Sequence, residues 1–419
     1  MSIRTLHLPF GHSEIEIDIE TSNLLDILLP RRNSEVVDES RLIYQALAYP
    51  TDSPRLSDLA QKGQKVVVIT SDMTRPCPSE RLLPPVLAEI DRGGVPDSDI
   101  TVVMALGLHR PMSSAELEAA VGADIYRRVQ VVNHDPKDVV RLGTTLRGTP
   151  VDIFRPVVEA EFRICLGNLE LHYFAGYSGG AKAILPGCAS RAAIQANHAM
   201  MVSPEADAGR LQGNPVRADI EEGVAMLGVD FILNVVVDEQ HRVVGAFAGE
   251  VTAAHRLGCE FVARKAKITV PRLADIVIVS AGGYPKDINL YQAQKALDNA
   301  AHAVRAGGII ILVAECSEGL GNRTFERWMR EADSPDELLT RLQRTFELGG
   351  HKAAAIASVL KRATVLLVSA LPDELAQTCG LVPCPDLDTA LADAVTEIGS
   401  NASLIVMPQG GAVLPEWAG

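Results

Sequence analysis

The seven cysteines of this chain (77, 165, 188, 259, 316, 379 and 384) form no Cys-x-x-Cys pair and show no zinc-finger spacing. An odd, scattered set fits reduced thiols better than a disulfide framework. The opening MSIRTLHLPFGHSEIEIDIE has no basic stretch followed by an apolar one, so no signal peptide is expected. Apolar runs such as IIILVA at 309–314 are too short to span a bilayer. Positive charge is not in excess either. The formal net charge is -14, which argues against nucleic acid or an anionic membrane as the main partner. No GxGxxG follows the early strands and no HExxH occurs, so Rossmann dinucleotide and hydrolytic zinc sites lack support. Internal repeats and low-complexity tracts are absent. The expectation is a cytoplasmic protein.

What is present is a chain of 419 residues, 47% hydrophobic and 22% charged. That length exceeds what one core normally supports, so two domains are expected. Short Val- and Ile-rich runs alternate with helical patterns: KVVVIT, ITVVMAL, RVQVVN, FRICLG and FILNVVVD, then DIVIVSA, GIIILVA, TVLLVSA and SLIVMP. Such alternation predicts layered α/β domains with mostly parallel sheets and an active-site cleft between them. The alternating start (IEIDIE) predicts an antiparallel strand or hairpin. A basic, proline-marked stretch at 264–275 suggests a boundary, giving one domain of 1–268 plus a returning strand in 396–419, and a second of 269–395.

Ligands of open α/β sheets bind at the carboxyl ends of strands, which directs attention to SDMTRP, GLHRPMS, NHD, GNLELHYFAGYSGGAK and GGYPKDINLYQAQK. Residues 171–198 hold His172, a glycine-rich turn with Gly179 and Gly180, Lys182 and His198 in one continuous segment. GYSGGAKA resembles a phosphate cradle, but Ala181 and Ala183 stand where a Walker A loop needs Gly and Ser or Thr. The bland alternative is a turn with a solvated lysine. Ser190 is expected to cap the helix carrying His198, and Ser113 with Glu116 to form a capping box that holds His109 at a helix mouth. His134 in NHD reads as a turn residue. Arg75 offers a fork for a carboxylate or phosphate, with Asp72 to fix it. Tyr291, Gln292 and Lys295 lie within one turn at a helix start and so neighbour one another.

Taken together, SDMTRP, GLHRPMS, NHD, the 172–198 segment, YPKDINLYQAQKALDNA and PQGGAVLP resemble the nickel-pincer-nucleotide-dependent lactate racemase family over most of the chain. The resemblance implies an isomerase, a racemase or epimerase acting on the C2 centre of a 2-hydroxy acid. It implies a nickel-pincer nucleotide, a nickel-bearing pyridinium mononucleotide, attached covalently at Lys182 with Asp72, Gly179 and Gly180 nearby, and His198 as nickel ligand. His109 and His172 would be the acid/base pair. Arg75, Tyr291, Gln292 and Lys295 would contact substrate. It also implies transient encounters with the enzymes that make the cofactor, without which an unloaded protein is expected. One departure concerns the pocket. Where lactate racemases of the family place a tryptophan, LGGHKAAAIASVL puts His351, so a larger or more polar 2-hydroxy acid competes with lactate. The rival readings are a nicotinamide-dependent 2-hydroxyacid dehydrogenase, a zinc hydrolase and a non-catalytic cofactor-binding homologue.

Overall fold

The computed structural model describes residues 2–31, 38–238 and 240–417. The chain divides into two units, one of Asn33–Arg264 and one that joins Met1–Arg32 to Lys265–Gly419. Among the described residues, no helix is long and apolar enough to cross a membrane.

The Asn33–Arg264 unit is built on a six-stranded sheet in the order Val243–Gly249, Phe231–Val237, Phe162–Asn168, Val66–Ser71, Ile100–Ala105 and Gln130–Asn133. Only the Val243–Gly249 strand is antiparallel to its neighbour. Val66 to Ile69 are all buried, because both faces of the sheet are covered, which is why the run shows no polar alternation. On one face Val68, Val102, Ile164 and Leu233 meet Leu82, Val86 and Ile90 of the Ser79–Arg92 helix. On the other, Val67, Val103 and Ile232 meet Ile184, Ile194, Val216 and Ile220. Strand order reverses at Val66–Ser71. The loops leaving that strand and Phe162–Asn168 therefore flank a topological switch point.

The other unit has six parallel strands in the order Val382–Cys384, Ala363–Val368, Val304–Val313, Ala274–Ser280, Leu404–Met407 and Leu24–Ile27. An antiparallel hairpin, Ile3–Phe10 with Ser13–Glu20, lays Leu6, Leu8, Ile17 and Ile19 against Ile276, Ile278, Ile309 and Ile311. Its other face is exposed, hence the IEIDIE alternation.

The expected partition differs from this one in two places. Residues 1–32 and the closing strand do not join the 33–264 unit. Leu404–Met407 is inserted between Ala274–Ser280 and Leu24–Ile27, so backbone pairing fixes both terminal segments to the second sheet. Nothing in a short apolar run specifies which of two similar parallel sheets it will enter.

His134 is a second difference. Read as a turn residue, it is a buried side chain between a strand and a turn, 2% exposed and edge-on to Phe154 at 5.5 Å, with neither ring nitrogen hydrogen-bonded. Burial pushes its pKa down to about 4, outweighing the opposing influence of the Asp135 charge and the Ala189 backbone. The unfolded chain therefore binds a proton between its ordinary value and about 4 that the folded chain does not. His134 thus contributes stability that is present above the ordinary histidine value and is lost as pH falls toward 4. Between about pH 7 and about pH 5 this amounts to about 2 kcal/mol. Chemical denaturation at those two pH values should show His134→Leu losing less stability than wild type by about that amount. Equal losses would remove His134 from the account.

Candidate functional site

In the Asn33–Arg264 unit, Asp72 follows the Val66–Ser71 strand and is buried at 5% exposure. Its Oδ1 accepts the Thr74 hydroxyl at 2.5 Å and the Thr74 backbone N–H at 2.7 Å. Its Oδ2 lies 2.7 Å from His109 Nδ1. Burial alone would raise the Asp72 carboxyl, but the hydrogen bonds from His109 and Thr74 and the His109 charge more than offset it, holding it below its ordinary value. An ionised carboxylate only accepts, so His109 Nδ1 carries the proton and Nε2 of the neutral ring carries the lone pair. The Ser113–Glu116 capping box forms as expected and starts the helix just beyond His109. Asp72 was expected to fix Arg75. Its carboxylate instead serves His109 and Thr74, while Arg75 donates only its backbone N–H to the Asp72 carbonyl at 3.1 Å.

The 171–198 segment begins with a tight reversal in which Leu171–His172 pairs antiparallel with Gly176–Tyr177. Buried Phe174 stands at the tip of this reversal. His172 meets its ring at 4.5 Å between centroids, His198 at 5.0 Å, and Lys182 Nζ stands 5.8 Å from its centroid. One phenyl ring thus gathers all three polar residues of the segment. The reversal is held from below by the Pro215–Ala225 helix. Its N-cap, Asn214, donates to the Phe174 carbonyl at 2.9 Å, and Arg217 donates to the carbonyls of Ala175 (3.3 Å) and Tyr177. Arg217 is 1% exposed, and its Nη1 has no partner.

The glycines serve close approach. A Cβ on Gly180 would come within 2.8 Å of His255 Cδ2, and one on Gly179 within 2.7 Å of Asn234 Oδ1. Gly180 donates its N–H to Asn234 Oδ1 at 2.8 Å. That donor is therefore spent inside the protein and is not offered to an anion, which weakens the phosphate-cradle reading of this turn. The solvated-lysine alternative fares no better. Lys182 keeps a little accessible surface but stands deep among protein atoms. Burial, then the charges of Arg217 and Arg75, hold its amine well below the ordinary lysine value. Burial likewise holds His172 well below its ordinary value, reinforced by Lys182, Arg75, His198 and Arg217. His172 Nδ1 accepts the Ala175 N–H at 3.3 Å, which leaves the proton of the neutral ring on Nε2.

In the other unit, Asn289 caps the Leu290–Ala300 helix and accepts the Gln292 N–H at 3.0 Å. Gln292 and Lys295 are exposed and Tyr291 is half-buried. Lys352 donates to the Tyr291 carbonyl at 2.6 Å and lies 4.2 Å from the centre of its ring. His351 is 7% exposed, stacks on Phe346 at 5.4 Å and accepts the Gly349 N–H at Nδ1, 3.0 Å away.

Sequence reading missed Arg217, Asn214, Asn234, His255, Phe174 and Lys352. Arg217 left a usable signal, an arginine between Val216 and Ile220 on the buried face of a helix. Asn234 left a fainter one, an amide inside an otherwise apolar strand.

A nucleotide held through an amine fits these residues. The lowered pKa of Lys182 favours its nucleophilic free-amine form, Arg217 retains an unpartnered buried N–H, and the cationic surroundings suit an anionic group. Among the described residues no three His, Cys, Asp or Glu side chains converge to hold a metal ion. A metal at His198 would therefore depend on ligands supplied by the cofactor itself.

Residues 10–209 match the family model described as lactate racemase N-terminal domain, and 269–414 the lactate racemase C-terminal domain. The chain is 35% identical to a lactate racemase of Thermoanaerobacterium thermosaccharolyticum, over 98% of both proteins. To a lactate racemase of Lactiplantibacillus plantarum it is 34% identical, over 97% of this chain and 98% of that one. The fold superposes on the lactate racemase apoprotein from T. thermosaccharolyticum with a TM-score of 0.90, covering 98% of this chain and 100% of that one at 35% identity. A protein from Thermotoga maritima shares the fold at a TM-score of 0.61 and 20% identity, over 88% of this chain and 100% of that one.

An amine whose pKa is lowered by its surroundings should begin to react at lower pH. Across a pH series on the unloaded protein, acylation of Lys182 should set in at lower pH than that of the surface lysines, as peptide mass mapping would read. Arg217→Met should move the onset of Lys182 labelling to higher pH, because one opposing positive charge is removed. Labelling that tracks the surface lysines in both proteins would refute this account of the amine.

Proposed function

Because the chain belongs to the lactate racemase family and is an isomerase, we propose that it interconverts the enantiomers of a 2-hydroxy acid, lactate first among them. We further propose that a nickel-pincer nucleotide is attached at Lys182, that His198 ligates its nickel, and that His109 and His172 move protons. The observation carrying this reading is the gathering of His172, Lys182 and His198 around Phe174, with the Lys182 amine held well below its ordinary pKa by burial and neighbouring charge.

The α-proton of a 2-hydroxy acid is very weakly acidic beside a carboxylate, so direct deprotonation is a poor route to inversion. The nickel-pincer nucleotide, when bound, supplies a reversible hydride acceptor. The protein's part is then to move the hydroxyl proton and hold the acid. His109 is arranged as the base, since Asp72 takes its Nδ1–H and leaves Nε2 to accept. The same carboxylate stabilises the imidazolium once the proton has arrived. His172 begins as a hydrogen-bond donor through Nε2 and is kept neutral by burial and nearby cations. Arg75 is exposed and close enough for its charge to be felt at His172 and Lys182, which suits anchoring a carboxylate.

Tyr291, Gln292, Lys295 and His351 are proposed as substrate contacts on the strength of the YPKDINLYQAQK and LGGHK motifs. His351 stands where the resemblance places a tryptophan, and its more polar ring favours a substrate with a polar tail as the alternative to lactate.

Protein made alongside the cofactor's biosynthetic enzymes should carry a nucleotide adduct by intact mass, absent from Lys182→Ala, and roughly one nickel per chain. Chiral analysis should show L-lactate, or a more polar 2-hydroxy acid, converted to a mixture of enantiomers without added NAD. His109→Ala and Asp72→Asn should each lower kcat/KM by about 10²–10⁴. No adduct and no nickel would sink the cofactor assignment. An adduct without inversion of any 2-hydroxy acid would leave a cofactor-binding homologue.

A further inference from the structure

His198 lies near the end of the Arg191–Ala199 helix, and its Nδ1 sits 3.1 Å from Asn197 Oδ1. Distance alone does not say which atom holds the proton. The surroundings of Asn197 do. Its side chain is 0% exposed, and its Nδ2 faces the Val216 carbonyl at 3.2 Å and Asp219 Oδ2 at 2.8 Å. A carbonyl oxygen can only accept, and the carboxylate oxygen accepts as well. The NH₂ group must therefore be the end that points to them, and turning the amide over would set oxygen against oxygen twice. Oδ1 is thereby committed to face His198, and an amide oxygen only accepts. The imidazole must supply the proton from Nδ1.

Asp219 is equally committed. It is 0% exposed, and its other oxygen meets the hydroxyl of Thr145, which itself accepts the Thr149 N–H at 3.1 Å. The chain of bonds thus runs from the Thr149 backbone through the buried side chains of Thr145, Asp219 and Asn197 to the half-buried imidazole. A buried carboxylate held this way cannot swing out to water, and the amide cannot turn while it stays in place.

We propose that Asn197 and Asp219 are positioning residues that lock the proton of His198 on Nδ1 and so present Nε2 as the atom able to ligate a metal. The metal half of this statement rests on the role proposed above for His198; the tautomer half stands on the geometry alone. Metal-bound histidines are commonly oriented through an acceptor on their second nitrogen, and loss of that acceptor typically weakens metal binding by about 10- to 100-fold. Here the acceptor is an amide whose orientation is set by a carboxylate one step further away. Both residues lie on the unloaded protein's own framework, so the lock exists before any cofactor arrives.

The test reads the unloaded protein first. Long-range ¹H–¹⁵N correlation spectra of histidine-labelled protein at about pH 8, with the His198 signals identified by their loss in His198→Gln, report which ring nitrogen is protonated. Wild type should show a protonated Nδ1 and a lone-pair Nε2. Asn197→Ala should move His198 to a mixture of tautomers or to the Nε2–H form, and Asp219→Ala should do so by freeing the amide. The paired exchange Asn197→Asp with Asp219→Asn keeps an acceptor opposite Nδ1, at the cost of an oxygen facing the Val216 carbonyl, and should return His198 to the Nδ1–H form in the folded fraction. A loss caused by misfolding alone would not be rescued in that way. In loaded enzyme, nickel retained through dialysis should fall in Asn197→Ala by about 10- to 100-fold in apparent affinity. An Nε2–H ring in wild type, or an unchanged ring in Asn197→Ala, overturns the proposal. Spectra that follow the lock while His198→Gln keeps its nickel leave the lock standing and overturn the metal role of His198.

Discussion

A guanidinium buried to 1% exposure beneath the 172–182 segment is the constraint on which the site depends. Arg217 must satisfy its donors without water, and burial drags its pKa to about 10 despite the partly compensating charge of Glu221. It finds the Ala175 and Tyr177 carbonyls, and in doing so fixes the reversal that brings His172 back toward Lys182. Burying a cation is costly and is tolerated only where enough acceptors converge. Two carbonyls and a carboxylate at 3.9 Å do part of that, leaving Nη1 unpartnered. Burial, with the Arg217 charge adding to it, holds Lys182 and His172 below their ordinary values. One residue therefore sets the shape of the loop and contributes to the reactivity of what the loop carries. An anionic group bound nearby would offset the charge that Arg217 and Arg75 place on this segment.

Much of this architecture was legible in the sequence. The strand runs, the hairpin, the Ser190 and Ser113 caps and the loops after Val66–Ser71 and Phe162–Asn168 follow from periodicity and local turn chemistry, which act over a few residues. The expected partition into domains did not follow, because strand pairing acts across the whole chain. Leu404–Met407 is apolar in the same way as Val66–Ser71, and only its partners distinguish the two. Partners also decided the finer points of the site. Asp72 and Arg75 are three positions apart in SDMTRP, yet the carboxylate chose His109, thirty-seven positions away. Gly180 looked like an anion donor until Asn234, brought in from another strand, took its N–H.

The histidines show how much chemistry resides in such long-range partners. His109 and His198 each have an obligate acceptor opposite Nδ1, so each keeps its lone pair on Nε2, the state a base or a metal ligand needs. His172 and His351 each have a backbone N–H opposite Nδ1, so each presents Nε2–H, the state that donates to a substrate oxygen. The four rings are the same group by sequence. Their partners sort them into two acceptors and two donors, with one of each in the pair proposed to move protons.

That asymmetry bears on how one site could treat both enantiomers. Microscopic reversibility requires that a ring taking the hydroxyl proton from one hand can return it to that same hand, so each ring must be able to accept and to give back. His109 is held firmly, by a 2.7 Å bond to an ionised carboxylate. His172 is held weakly, by a 3.3 Å bond from a backbone amide. To accept at Nε2, His172 must first carry its proton at Nδ1 and give up the Ala175 bond, and a bond of that length is inexpensive to give up. The firm ring therefore defines the resting state and the loose ring supplies the adaptability. Depressing the His172 pKa keeps that ring from being trapped as an imidazolium between turnovers.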